Sequence, residues 1–231
     1  MTTSAAAAWM LASYIASETF TIFTERHIIS DRQLPQSFHN LKVCFISDLH
    51  HGRYSSVRRL QYMVKKINRL QADLILLGGD YLQTFRRPVA KQRRDLQELL
   101  KVLGALHHPP LGIYGVLGNH DYQLPTAWVV KEFAKQKIII LNNQGVALSK
   151  NGEHIFLAGV EDSWYGKPSW QQASQTNKNA DFKLLIAHQP NFIDELKVSD
   201  GVNFVFAGHT HGMQINMFHY FPFLQIGRAH V

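Results

Sequence analysis

The chain has 231 residues, 45% of them hydrophobic, and a formal charge of +7, enough for one large domain with a buried core. Its one cysteine, Cys44, excludes an intramolecular disulfide, and no low-complexity stretch, internal repeat or Pro/Ser-rich linker is present, so one α/β domain is the economical reading. The positive charge favours anionic partners, but it is spread over helix faces (Arg58-Arg59, Lys65-Lys66, Arg86-Arg87, Lys91 to Arg94) without interleaved aromatics, which ranks nucleic acid behind smaller phosphates.

Residues 5–23 are apolar with small side chains, interrupted by Glu18. No Lys or Arg precedes them, so no secretory leader is indicated. The uninterrupted part, residues 5–16, is too short to cross a bilayer as a helix. The segment reads as a helix packed on the domain or lying on a membrane surface. Residues 1–38 are therefore expected to be an apolar helix and lead-in, with the main domain over residues 39–231.

Residues 41–47 predict a strand, in which Cys44 is a small hydrophobe, and Asp48-Leu49-His50 follow it directly. Ser56 predicts an N-cap, and Val57, Leu60, Val64 and Ile67 then lie at helical spacing. Residues 73–77 predict a second strand, ending at Gly78-Gly79-Asp80. A helix is expected from about residue 87 to residue 106, carried by Leu96, Leu99, Leu103 and Leu106. Residues 113–117 predict a third strand, followed by Gly118-Asn119-His120-Asp121. This alternation implies crossover connections and largely parallel pairing. Beyond it, a helix at residues 128–136 precedes short strands at 138–141, 146–149 and 154–160, with an Asn151-Gly152 hairpin signal. Consecutive strands joined by turns point to antiparallel pairing in a second sheet. A polar loop over residues 161–180 holds Trp164, Tyr165 and Trp170. A strand at 182–187 ends at His188, and Phe204-Val205-Phe206-Ala207 leads into Gly208-His209-Thr210-His211-Gly212.

Five strand ends thus present Asp48, His50, Asp80, Asn119, His120, His188, His209 and His211. In open α/β sheets, ligands sit beyond the carboxyl ends of strands. With His120 set aside, three carboxylate or amide oxygens and four imidazoles, with no thiolate, form a hard-to-borderline donor set. That set argues for Mn, Fe, Zn or Co and against a structural zinc knot or an iron–sulfur cluster. Seven such donors exceed what one ion with an open position needs. They suit two ions about 3.5–4 Å apart, bridged by a carboxylate and a water whose lowered pKa gives hydroxide as the nucleophile.

The five motifs, in this order, resemble those of the calcineurin-like metallophosphoesterase superfamily, over about residues 41–214. The spellings Ile-Ser-Asp-Leu-His, Leu-Gly-Gly-Asp-Tyr and Gly-His-Thr-His-Gly are similar to its bacterial branch of membrane-associated phosphodiesterases, as is the stretch from Tyr14 to Glu18. The resemblance implies a four-layer α-β-β-α sandwich of two mixed sheets flanked by helices. It implies that Asp48, His50 and His211 hold one divalent ion, that Asn119, His188 and His209 hold the other, and that Asp80 bridges them. It implies that His120 protonates the leaving oxygen or stabilises the phosphoryl charge, and that Asp121 orients His120 by a hydrogen bond. The expected activity is hydrolysis of phosphodiester or pyrophosphate bonds by a metal-bridging hydroxide.

Two departures from the branch stand out. Met213 replaces its usual second glycine, and the chain stops at Val231 where the branch continues. The sandwich is therefore expected to lack its last C-terminal strands, through truncation or natural shortening. His51, His107, His108, His154, His219 and His230 have no companion motif and read as surface or core histidines. Arg53 reads as exposed. The run from Met217 to Phe223 reads as core, or alternatively as an apolar lip for a lipid-linked phosphate. Competing functions are a lipid A enzyme resembling UDP-diacylglucosamine pyrophosphatase, a metal-dependent nuclease, and a non-catalytic metal-binding scaffold. The expected location is bacterial, membrane-associated or cytoplasmic.

Overall fold

The computed structural model describes residues 22, 24–52, 55–176 and 180–210. The expectations for residues 5–21, Tyr14 to Glu18, Arg53, His211, Met213, the run from Met217 to Phe223 and the last strands fall outside those residues. Residues 31–210 lie within one compact unit. Phe38, expected in the lead-in, is fully buried in its core. Among the described residues, no helix is long and apolar enough to cross a membrane.

The first sheet has the order β1 (Val43–Ile46), β2 (Leu74–Leu77), β3 (Ile113–Gly115), β4 (Ile138–Ile140), and every pairing in it is parallel. The second has the order β5 (Gln144–Lys150), β6 (Glu153–Gly159), β7 (Lys183–Ala187), β8 (Phe204–Ala207). There β5 and β6 are antiparallel, while β6–β7 and β7–β8 are parallel. Asn151 (φ 50°) and Gly152 (φ 84°) close the β5–β6 hairpin, because two successive positive-φ residues match the strands' twist. β4 differs from expectation. It pairs parallel with β3 in the first sheet and does not join the antiparallel set.

The helices obey their local chemistry. α1 (Val57–Leu70) starts at Ser56, whose hydroxyl accepts the Arg59 N–H at 3.3 Å, and it buries Leu60, Met63, Val64 and Ile67. α2 (Val89–Leu103) starts later than the expected residue 87, because Pro88 disfavours helical geometry in the residue before it. α1 packs on α2, and α3 (Thr126–Ala134) packs on β4. The short α4 (Trp170–Ala173) and a 3-10 segment, Pro190–Glu195, bury Trp170, Ala173 and Phe192 against Phe156, Ala158, Leu185 and Ala187 of the second sheet.

Between the sheets lies one apolar layer. Leu74, Leu76, Tyr114 and Val116 meet Leu148, Ile155, Leu157, Leu184 and Ile186 there. Adjacent strand residues point to opposite faces, so Ile75 and Leu77 turn the other way, towards the first sheet's helices, and β2 is buried throughout. The result is two sheets, one parallel and one mixed, flanked by helices. Cys44 sits in β1, where burial pushes its thiol up to about 11, so it remains protonated.

Candidate metal centre

β1, β2, β3, β7 and β8 all discharge their C-terminal ends into one region at the seam between the sheets. Backbone hydrogen bonds knit those ends together. Asp48 N–H donates to Gly79 O (3.0 Å), His50 N–H to Asp80 O (3.0 Å), and Gly208 N–H to His188 O (3.0 Å). Four of the delivered residues are non-glycine residues in the left-handed region: Asp48 (φ 57°), His50 (42°), Asp80 (53°) and His209 (68°). Asp and His tolerate this conformation better than most residues, but each such residue costs on the order of 1–3 kcal/mol and persists only where its surroundings enforce it. Two glycines are required by close approach. A Cβ at Gly118 would strike the Asp80 carboxylate and the His188 ring (2.8 Å), and one at Gly208 would strike the Ser47 hydroxyl and the Asp48 carboxylate (2.7 Å).

Asp80, 2% exposed, is the hub. Its Oδ2 lies 3.6 Å from His50 Nε2 and 3.4 Å from His188 Nε2, while its Oδ1 accepts the His120 N–H at 2.9 Å. Asn119 Oδ1 lies 3.2 Å from His188 Nε2 and 3.1 Å from His209 Nδ1. Asp48 Oδ1 is 3.9 Å from His50 Nε2, and both oxygens of that carboxylate take the His209 N–H, at 3.1 and 3.0 Å. Seven of the eight residues expected at strand ends therefore converge; the eighth, His211, is outside the described residues. Two groups have ligand atoms mutually within 4.8 Å: His50, Asp80 and His120, and Asp80, His188 and His209. Asp80 belongs to both.

The electrostatics favour a cation here. Burial works against ionising Asp80, but the hydrogen bond and charge of His188 outweigh it and hold the carboxyl below its usual range. Burial likewise works against charging His188, yet Asp80 and Asp48 hold its pKa up at about 9. In the metal-free protein a proton thus supplies the positive charge these carboxylates demand. His188 Nδ1 is 2.7 Å from Gly78 O, an arrangement that places a proton on Nδ1 and leaves Nε2 as the ligand atom. Burial, then the neighbouring His188 charge, holds His209 below its usual pKa, so its ring is neutral and free to ligate.

Asp121 does not do what was expected of it. Its carboxylate accepts backbone N–H groups from Asp80 (2.9 Å), Gly118 (2.9 Å) and Tyr81 (3.0 Å), and it orients the Asp80 turn, not the His120 ring. Burial, then the Asp80 charge, pushes it up to about 8 despite those donors. The partner of His120 Nδ1 is Thr84 Oγ1 at 3.1 Å, a buried hydroxyl that no motif in the sequence singled out. His51, beside His50, is 3% exposed and spans Ser55 O and Glu98 Oε2, each at 2.9 Å, so it serves the structure. Trp164 from the polar loop stands edge-on to His209, with ring centroids 4.6 Å apart.

The family model for the calcineurin-like phosphoesterase domain matches residues 41–213, three quarters of the chain and all five strand-end motifs. The chain belongs to the calcineurin-like phosphoesterase family. Its relatives include Bacillus subtilis YpbG (28% identical, covering 82% of this chain and 68% of the relative) and the B. subtilis metallophosphoesterase YkuE (28%, covering 90% and 71%). A metallophosphoesterase of Helicobacter pylori strain 26695 is 29% identical over 79% of this chain, which spans about half (46%) of that relative. Calcineurin-like phosphoesterases are metal-dependent phosphohydrolases, and the donor set fits that requirement. Oxygen and imidazole donors are gathered around a buried carboxylate, with the His188 tautomer already set for ligation.

Proposed function

We propose that this phosphoesterase is a dinuclear metal-dependent hydrolase of phosphodiester or pyrophosphate bonds. The observation that carries the reading is the position of the Asp80 carboxylate between two imidazoles, its Oδ2 3.6 Å from His50 Nε2 and 3.4 Å from His188 Nε2. Asp80 would bridge two divalent ions, Mn, Fe or Zn. Asp48 and His50, with His211, would complete one site, and Asn119, His188 and His209 the other. When bound, the ions would neutralise phosphoryl oxygens and acidify a water to serve as nucleophile.

The chain's own residues would do the rest. Thr84 Oγ–H donating to His120 Nδ1 would keep the proton on Nε2, where it can pass to the leaving oxygen. The ring of His120 lies against that of His50, with centroids 4.8 Å apart, which holds the donor beside the ligand cluster. Asp121 would keep the Asp80 turn in its left-handed form, and so keep the bridging carboxylate in place.

Hydrolysis of bis(p-nitrophenyl) phosphate and of the p-nitrophenyl monoester, with Mn²⁺ or with chelator, tests the proposal. The expected outcome is diester turnover that needs metal and falls at least about 100-fold in Asp80→Asn, the scale on which bridging electrostatics act. Folded, metal-loaded protein that turns over neither ester would make the chain a scaffold.

A further inference from the structure

A residue outside the ligand set is held beside it with unusual firmness. Trp164 is 61% exposed, and its indole stands at 86° to the His209 ring with centroids 4.6 Å apart. An exposed aromatic alone is ordinary, but this one is in ring contact with a candidate ligand. The anchoring of its backbone sharpens the point. Asp162 Oδ1 accepts the N–H of Trp164 at 2.9 Å and of Tyr165 at 2.8 Å. Asp162 Oδ2 accepts Gln189 Nε2, and Gln189 Oε1 accepts the Ser163 N–H at 2.9 Å. Asp162 is fully buried and Gln189 is 2% exposed. Burying a carboxylate is costly unless every oxygen is satisfied, and this network satisfies both oxygens of Asp162. It fixes the backbone that carries Trp164 relative to His188, the neighbour of Gln189 in sequence.

We propose that Trp164 is a stacking wall that gives this phosphoesterase its preference for esters bearing a planar aromatic ring, a nucleobase or an aryl group, on the His209 flank. The inference rests on the hydrolase reading above. His120 groups with His50 and Asp80, whereas Trp164 touches His209, which groups with His188 and Asp80. The ring on the wall is therefore that of the substituent away from His120, the one retained on phosphorus. A flat indole, fixed by its backbone, matches another flat ring. A flexible acyl chain would be better served by side chains that repack around it. Stacking of one base on an aromatic side chain is sequence-tolerant, so the wall selects a ring and not a particular base.

The test varies the retained group and keeps the leaving group. Wild type, Trp164→Ala, Trp164→Leu and Trp164→Phe are compared on phenyl, methyl and decyl p-nitrophenyl phosphates with Mn²⁺. The expected result is a KM about tenfold lower for the phenyl ester than for the methyl ester in wild type. That preference should be lost in the Ala and Leu variants and largely kept in the Phe variant. Independently of turnover, phenylphosphonate should quench a component of tryptophan fluorescence in metal-loaded wild type that Trp164→Phe lacks. An undiminished phenyl preference in Trp164→Ala overturns the wall, as does a decyl preference that Trp164→Leu preserves. Absence of turnover by wild type on all three esters overturns the hydrolase reading instead, and the quenching then decides the wall by itself.

Discussion

On the proposed reading, His188 carries a proton on the nitrogen that would ligate an ion, and that has a thermodynamic consequence. Its folded pKa, about 9, lies above the ordinary 6.5. The pairing with Asp80 therefore stabilises the metal-free fold fully below pH 6.5, and this contribution is lost as pH rises through 9. A ligating Nε2 must release that proton, so metal affinity should climb about tenfold per pH unit between pH 6.5 and 9. Titration calorimetry with Mn²⁺ at pH 7.0 and 8.5 measures it; equal affinities would show that metal binding displaces no proton from His188. The donors themselves were legible in the sequence, because Asp, Asn and His at strand ends announce their chemistry. Their partners were less so. Asp121 stands next to His120 in sequence, yet its carboxylate turns back onto the Asp80 amide, and the residue beside the His120 ring is Thr84. Which neighbour a side chain meets depends on the left-handed turns, and no spacing rule encodes them.

At the level of elements, the strand-end turns tolerate little added volume. Gly118→Ala should destabilise the protein by about 1–3 kcal/mol, since the new methyl meets the Asp80 backbone and the His188 ring and cannot relax into space. Because the same methyl meets two candidate ligands, Mn²⁺ affinity should drop about 10–100-fold on the proposed reading, as for lost outer-shell support. Urea unfolding and metal titration of the variant check both, and a variant with wild-type values would show that the close approach is dispensable. Local signals placed most elements well. Ser56 caps α1, Asn151-Gly152 turns the hairpin, and Pro88 sets the start of α2 once its effect on Arg87 is weighed. β4 escaped them, since its apolar Ile138-Ile139-Ile140 reads alike in either sheet, and only pairing with β3 decides. Sheet membership is a long-range property.

For the whole molecule, the candidate centre and the inter-sheet core are one cooperative arrangement. Asp48, His50, Asp80, Asn119 and His120 follow strands of the first sheet, while His188 and His209 follow strands of the second. An ion held by both groups would favour only the docked state. At a free metal concentration of about 100 times Kd, binding adds about 2.7 kcal/mol to stability. For a chain of this size that corresponds to roughly 5–11 °C in Tm. Thermal melts with Mn²⁺ and with chelator should differ by that much. Coincident melts would show that no ion binds the folded state in preference to the unfolded one.

The seam also governs timing. A ribosome delivers the first sheet complete through Ile140 well before Lys183–Ala187 and Phe204–Ala207 exist. Until those two strands emerge and dock, the nascent chain carries one flank of donors without the other. On the proposed reading it is silent towards phosphoesters throughout that interval. Catalytic competence would then switch on only as the second sheet closes over the first.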